Sequence, residues 1–205
     1  MIKNKEYWDN FYNKFNTCVE SGFARFVYKD ISKLKNVKLL DVACGNGRDT
    51  FYFRKNGIEA EGIDISRTAI KKNKLISDFF HKKDVCKTNF FVRKKYNVIY
   101  ARFFLHAINE KQENIFFQNL KKMASKDSKI FLEFRTDKDP LINKGRKISK
   151  NERLYTHYRR FINVNTFKKK ISKNKFKILK IMSSFNFALF KNQRPNICRA
   201  ILLLK

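Results

Sequence analysis

Apolar positions in this chain fall into short runs whose spacing alternates between two periods, with lysine-rich polar stretches between them. Leu39-Leu40-Asp41-Val42 and Ile58 to Ile63 have strand length. Acids punctuate both, Asp41 within the first and Asp64 just after the second. Phe79 to Val85 reads as a short third strand ending at Asp84, Val98 to Ala101 as a buried parallel strand, and Lys129 to Phe134 as a fifth. Phe176 to Phe187 and Ile197 to Leu204 read as closing antiparallel strands. Helical spacing lies between these runs. Tyr7, Phe11 and Phe15 recur every fourth residue within Glu6 to Phe15, with Trp8 and Tyr12 beside them. Ser21 caps a helix reaching about Leu34, and Ser66 caps one through Lys74. Asn109 to Ala124 is amphipathic, with Ile108, Ile115, Phe116, Leu120 and Met123 inward, and Asn165 to Lys173 is the last helix. Alternating strands and helices predict an α/β sheet.

The chemistry-bearing pattern is Leu39-Leu40-Asp41-Val42-Ala43-Cys44-Gly45-Asn46-Gly47-Arg48-Asp49, followed by Gly62-Ile63-Asp64-Ile65-Ser66. Gly45 and Gly47 allow positive φ and a close approach of backbone to ligand. Amides at the following helix start favour an anion. Asp64, at the end of the next strand, suits the ribose hydroxyls of an adenosine-containing cofactor. Arg48 and Asp49 stand where a dinucleotide fingerprint has its third glycine, which argues against NAD.

These residues resemble motifs I and II of the class I S-adenosylmethionine-dependent methyltransferases. The Cys44-Gly45-Asn46-Gly47-Arg48-Asp49 form is similar to the thiopurine and tellurite methyltransferase subgroup. The resemblance runs from about Tyr7 to Lys205, strongly in the first half. It implies a Rossmann-like, seven-stranded, mostly parallel sheet with a C-terminal antiparallel hairpin and helices on both faces, in one domain spanning 1–205. It also implies S-adenosyl-L-methionine as cofactor. Residues 1–35 would form lid helices, with Tyr7 and Trp8 at the methionine end, and Asp84 with Val85 would meet the adenine. The cofactor contacts expected are Tyr7, Trp8, Asp41, Ala43, Cys44, Gly45, Gly47, Arg48, Asp64, Ile65, Asp84, Val85, Ala101, Arg102 and Phe103. Asn97 stands where the family has Asp.

Parallel sheets bind ligands outside their carboxyl ends, so Arg102 to His106 should lie at the rim. His106 can take a proton from an acceptor, or merely pack beneath the lid. Thr136 to Asn163 is irregular and too long for a simple connection, so it is expected to carry function. Within it, Tyr155, His157, Arg159 and Arg160, together with Arg135, suit recognition of phosphate or carboxylate. His106 and His157 are the catalytic candidates. Tyr155 to Phe161 reads also as a surface helix with local ion pairs.

Composition bears on partners. With 47 Lys and Arg against 18 Asp and Glu, the net charge is +29. This permits a nucleic-acid partner. Yet lysine, asparagine, isoleucine and phenylalanine are enriched together along the whole length, as an AT-rich coding sequence would produce. A small-molecule or glycan acceptor is therefore expected first, an RNA acceptor second, and a catalytically silent cofactor-binding module third. Cys18, Cys44, Cys86 and Cys198 lack C-x-x-C spacing, so reduced thiols without metal are expected. No apolar run reaches membrane-span length and the start lacks an apolar signal core, so a cytoplasmic protein is expected.

Overall fold

The computed structural model describes residues 4–14, 17–189 and 193–204. Phe15 of the expected first helix lies outside them. The elements run α1 (Asn4–Lys14), α2 (Gly22–Ile31), β1 (Lys38–Val42), α3 (Arg48–Lys55), β2 (Glu59–Asp64), α4 (Arg67–Lys74), β3 (Phe80–Lys82) and β4 (Tyr96–Arg102). They continue with α5 (Glu110–Met123), β5 (Ala124–Arg135), β6 (Arg146–Ser149), β7 (Glu152–Tyr155), β8 (His157–Arg160), α6 (Val164–Lys173), β9 (Phe176–Ser184) and β10 (Ile197–Leu204). Seven strands form one sheet in the order β3-β2-β1-β4-β5-β10-β9. β1 to β5 pair in parallel, and β10 pairs antiparallel with both β5 and β9. This is the seven-stranded, mostly parallel sheet with a C-terminal antiparallel pair that the family resemblance implied.

Strand pleat divides the core between two faces. Leu39, Val98, Tyr100 and Phe131 pack under α2 and α3 with Phe23, Val27, Ile31 and Phe53. Leu40, Ile99, Ile130 and Leu132 face α5 and α6 with Phe116, Phe117, Leu120 and Phe167. Among the described residues, no helix is long and apolar enough to cross a membrane, and no His, Cys, Asp and Glu cluster could hold a metal.

A buried carboxylate ties the helical layer to the sheet. Asp49, in the first turn of α3, accepts from the Ser21 backbone N–H, the Ser21 hydroxyl and the Tyr100 hydroxyl, each at 2.7 Å. Ser21 in turn caps α2 by accepting from Ala24 N–H at 3.0 Å. Burial and the charge of Asp49 hold Tyr100 well above the usual phenol pKa, so its hydroxyl remains a donor. At the amino ends of the strands, Asn97 accepts from Lys38 N–H and donates to the Asn36 carbonyl. It joins β1 to β4 on the side away from the carboxyl edge.

Several boundaries differ from expectation. β3 ends at Lys82, so Asp84 lies beyond the strand in a turn. β5 starts directly after α5 at Ala124, through the polar stretch Ser125 to Lys129, which carries no apolar signal. The second half of the 136–163 segment is a three-stranded antiparallel sheet, β6-β7-β8, and not a surface helix. Its strands are four residues each and charged on both faces, so apolar alternation is missing. Asp49→Ala should lower stability by about 3 kcal/mol, because it strands buried donors, and Tyr100→Phe by about 1 kcal/mol. Urea denaturation checks both through a lowered midpoint with an unchanged slope.

Candidate active site

A cleft of about 670 Å³ opens at the carboxyl ends of β1, β2 and β4, between α1 and the insertion sheet. Backbone strain concentrates there. Ala43 and Phe103, which follow β1 and β4, hold left-handed φ values of 60° and 55°. Gly45 and Gly47 are also left-handed, at 54° and 74°. Gly45 donates its N–H to Asp64 Oδ2 at 2.9 Å, and its carbonyl accepts from Asn73 at 2.9 Å. Asp64 Oδ1 accepts from Ser66 N–H at 2.7 Å. Burial raises the Asp64 pKa to about 6, against the opposing pull of these backbone bonds. Asp41 accepts from the Thr50 hydroxyl at 2.6 Å, and burial, with Asp49 beside it, pushes its pKa well up.

α1 lies across this cleft and is fastened to α4. Asp9 accepts from the Ser66 hydroxyl at 2.7 Å and Thr68 N–H at 3.0 Å, while Lys72 donates to the carbonyls of Tyr12 and Asn13. The helix also meets the insertion. The His157 ring lies 4.4 Å from Tyr7 and 5.1 Å from Trp8, centroid to centroid. The Tyr12 hydroxyl stands over Gly45, where any Cβ would collide with it.

Charge at the insertion end is positive. Arg135 pairs with the fully buried Asp139 at 2.7 Å. Arg159 has no carboxylate within ion-pair distance among the described residues. Burial and the neighbouring Arg135 lower its pKa to about 10. His106 is buried, and its Nδ1 accepts from the Arg135 backbone N–H at 3.3 Å, so the neutral ring carries its proton on Nε2. Burial, Arg135 and Arg159 hold its pKa well below the usual value. The same causes lower His157 to about 3.

Most residues expected at the cofactor line the cleft: Tyr7, Trp8, Asp41, Ala43, Cys44, Arg48, Asp64, Ile65, Asp84, Val85, Arg102 and Phe103. Gly45, Gly47 and Ala101 do not. Tyr12 covers Gly45, and a Cβ on Gly47 would lie 2.6 Å from the Phe80 ring, so that glycine serves core packing. Ala101 is enclosed in the sheet interior. Arg135, His157 and Arg159 line the insertion side, but Tyr155 and Arg160 do not. Arg160 donates to the Ile108 and Leu105 carbonyls and pairs with buried Glu113 at 3.0 Å. It clamps the insertion to α5. Tyr155 points into solvent, 46% exposed. With Nδ1 already accepting from Arg135 N–H, the neutral His106 ring offers Nε2–H as a donor. Sequence reasoning missed Tyr12, Ser21 and Asp49. Only the four-residue aromatic spacing pointed toward Tyr12.

A family profile described as a methyltransferase domain matches residues 16–181. Among curated proteins, no sequence matches significantly. Similar solved structures include the CcbJ methyltransferase from Streptomyces caelestis, with a TM-score of 0.75 at 10% identity, covering 99% of this chain and 100% of that one. A SAM-dependent methyltransferase from Anabaena variabilis gives a TM-score of 0.74 at 17% identity, covering 98% and 93%. The glycopeptide N-methyltransferase MtfA, complexed with S-adenosyl-L-methionine, gives 0.68 at 12% identity, covering 90% and 95%. These likenesses concern the fold.

The His106 assignment is open to direct test. Nitrogen-15 NMR of the histidine side chains should show His106 protonated on Nε2 and bare on Nδ1 between pH 6 and 8. Protonation of both nitrogens in that range would overturn the assignment.

Proposed function

Because the chain belongs to the methyltransferase-domain family, we propose that it is a class I S-adenosylmethionine-dependent enzyme that methylates an oxygen or nitrogen of a small anionic metabolite or sugar precursor. Arg159 carries the acceptor part of this reading: a half-buried cation at the cleft with no carboxylate partner among the described residues invites an anion. The turn similar to the thiopurine and tellurite subgroup supports the cofactor more than any acceptor. Residues 1–205 are taken as one catalytic domain.

The donor set suits this cofactor. Asp64 ends β2 with both oxygens already oriented by backbone amides, and it would accept from the ribose hydroxyls. Asp84, held in its turn by accepting from Cys86 N–H at 2.9 Å, would take the adenine amino group, with Val85 against the ring. Tyr7 and Trp8 would cover the methionine end. When bound, S-adenosylmethionine supplies an electrophilic methyl group on a sulfonium. The chain's work is then alignment and removal of one proton. Arg159 and Arg135 would hold the acceptor's anionic group, His106 Nε2–H would donate a hydrogen bond, and His157 would receive the proton. An acceptor anion would offset the two arginine charges that help lower His157, moving it toward a useful basicity.

The net charge of +29 favours a second reading, an RNA acceptor, and the exposed cations Lys144, Arg146, Lys147 and Lys150 around β6 would then guide it. Incubation of labelled S-adenosylmethionine with fractionated small molecules, sugar nucleotides and total RNA decides between them. Label entering RNA alone at physiological salt would overturn the small-acceptor reading, and no label anywhere would leave a silent binding module. With the true acceptor, Arg159→Ala should raise KM about tenfold or more without changing cofactor affinity.

Asp64 sets a pH dependence. A ribose hydroxyl needs the ionised carboxylate, so cofactor affinity in calorimetry should fall as pH drops through about 6. Stability of the unliganded fold should move oppositely. The folded carboxyl takes its proton at about 6 and the unfolded one at 3.8, so this group's destabilising charge is removed as pH falls across that window. Asp64→Ala should abolish cofactor binding at every pH; undiminished affinity would reject the assignment.

A further inference from the structure

A second cavity, an open groove of about 1040 Å³, lies on the other side of the β5 and β10 ends. Successive residues at this rim face the two spaces in turn. Arg135 and Pro195 line the cleft, while Thr136 and Asn196 line the groove.

Hydrogen bonding fixes the polarity of the groove wall. Thr136 Oγ1 accepts from Lys138 N–H at 3.1 Å and donates to Asn196 Oδ1, 2.5 Å away. That orients the Asn196 carboxamide and turns its NH₂ group to the groove. Asn196 is only 4% exposed, and its Nδ2 has no hydrogen-bond partner among the described residues. Asn163 is fixed in the same way. Its Oδ1 caps α6 by accepting from Thr166 N–H, so its Nδ2 donates to Asp137 Oδ2 at 2.6 Å. Asp137 Oδ1 makes no hydrogen bond among the described residues and stays an acceptor. The groove therefore presents a locked donor and a locked acceptor. The Phe185 ring, 44% exposed, stands beside them. Lys138 and Arg194 edge the groove with no carboxylate in ion-pair distance among the described residues.

We propose that this groove is a subsite for a glycosyl unit of an extended acceptor, one bearing a carboxylate or phosphate substituent. Sugar hydroxyls donate and accept at once, as the Asn196 and Asp137 pair requires. The apolar C–H face of a pyranose fits one exposed aromatic ring, and the negative substituent meets Lys138 and Arg194. A nucleobase would be served better by rings on both faces, and the groove offers one. The inference rests on the glycan side of the acceptor reading, and it places a second grip across the β5–β10 rim from the cleft.

Saturation-transfer NMR with D-glucuronate, glucose and adenosine monophosphate at millimolar concentration tests this on the full chain. Glucuronate should receive saturation more strongly than glucose. The transfer should persist with saturating S-adenosylmethionine and in Arg159→Ala, and weaken about fivefold in Asn196→Ala and in Phe185→Ala. Phe185 is exposed, so its variant keeps the test sound if loss of the Thr136–Asn196 bond unfolds the other. Transfer unchanged in both groove variants, transfer lost in Arg159→Ala, groove-dependent transfer to adenosine monophosphate alone, or no transfer at all would each overturn the proposal. Calorimetry with S-adenosylmethionine on the same variants separates a failed groove from a failed cofactor assignment, because groove variants should leave that affinity unchanged.

Discussion

The Asp49 carboxylate is the fastening on which the layout of the carboxyl edge depends. Three elements converge on it: the first turn of α3 that carries it, the cap of α2 and the hydroxyl from β4. An ionised carboxylate removed from water survives only when donors surround it. Asp49 has three at 2.7 Å and lies at a helix start, where the backbone dipole also favours negative charge. The neighbouring turn, with Ala43, Gly45 and Gly47 left-handed, is held separately by Asp64 and Asn73 at Gly45.

Two further buried acids do the same work on the other side. Glu133 on β5 binds Arg102 of β4 at 3.0 Å and Arg199 of β10 at 2.8 Å, stitching the parallel and antiparallel parts of the sheet at the rim. Glu113 of α5 gathers Arg160 from the insertion and Lys170 from α6. In a chain with so few acids, those buried at junctions set where the arginines go. Arg159 stays at the cleft without an ion-pair partner among the described residues.

The insertion end of the cleft presents two neutral histidines and two arginines. Both histidines are held neutral by burial and by the arginines. Asp139 there is already paired with Arg135 at 2.7 Å. On the proposed reading, such a corner would suit a negatively charged acceptor better than a neutral one. In the proposed reaction, methyl transfer from a sulfonium would ask chiefly for alignment, and α1 and the insertion sheet both border the cleft where it would take place.

What the sequence determined by itself is local. Leu39 to Asp49 and Gly62 to Ser66 lie within one strand–turn–helix–strand unit, so glycine conformations, the strand-end acid and the cap at Ser66 were legible from residue type and spacing. The alternation of strands and helices also made an α/β sheet legible, while the order of its strands came from the fold. The tertiary structure decided everything that depends on which side chains meet. Ser21, Asp49 and Tyr100 are far apart in the chain and give no joint signal. Gly47 reads as a ligand turn until the Phe80 ring is seen against it. Arg159 and Arg160 are indistinguishable as neighbours in a list. Once β8 is a strand, the pleat sends one to the cleft and the other into Glu113, because successive side chains of an extended chain point to opposite faces.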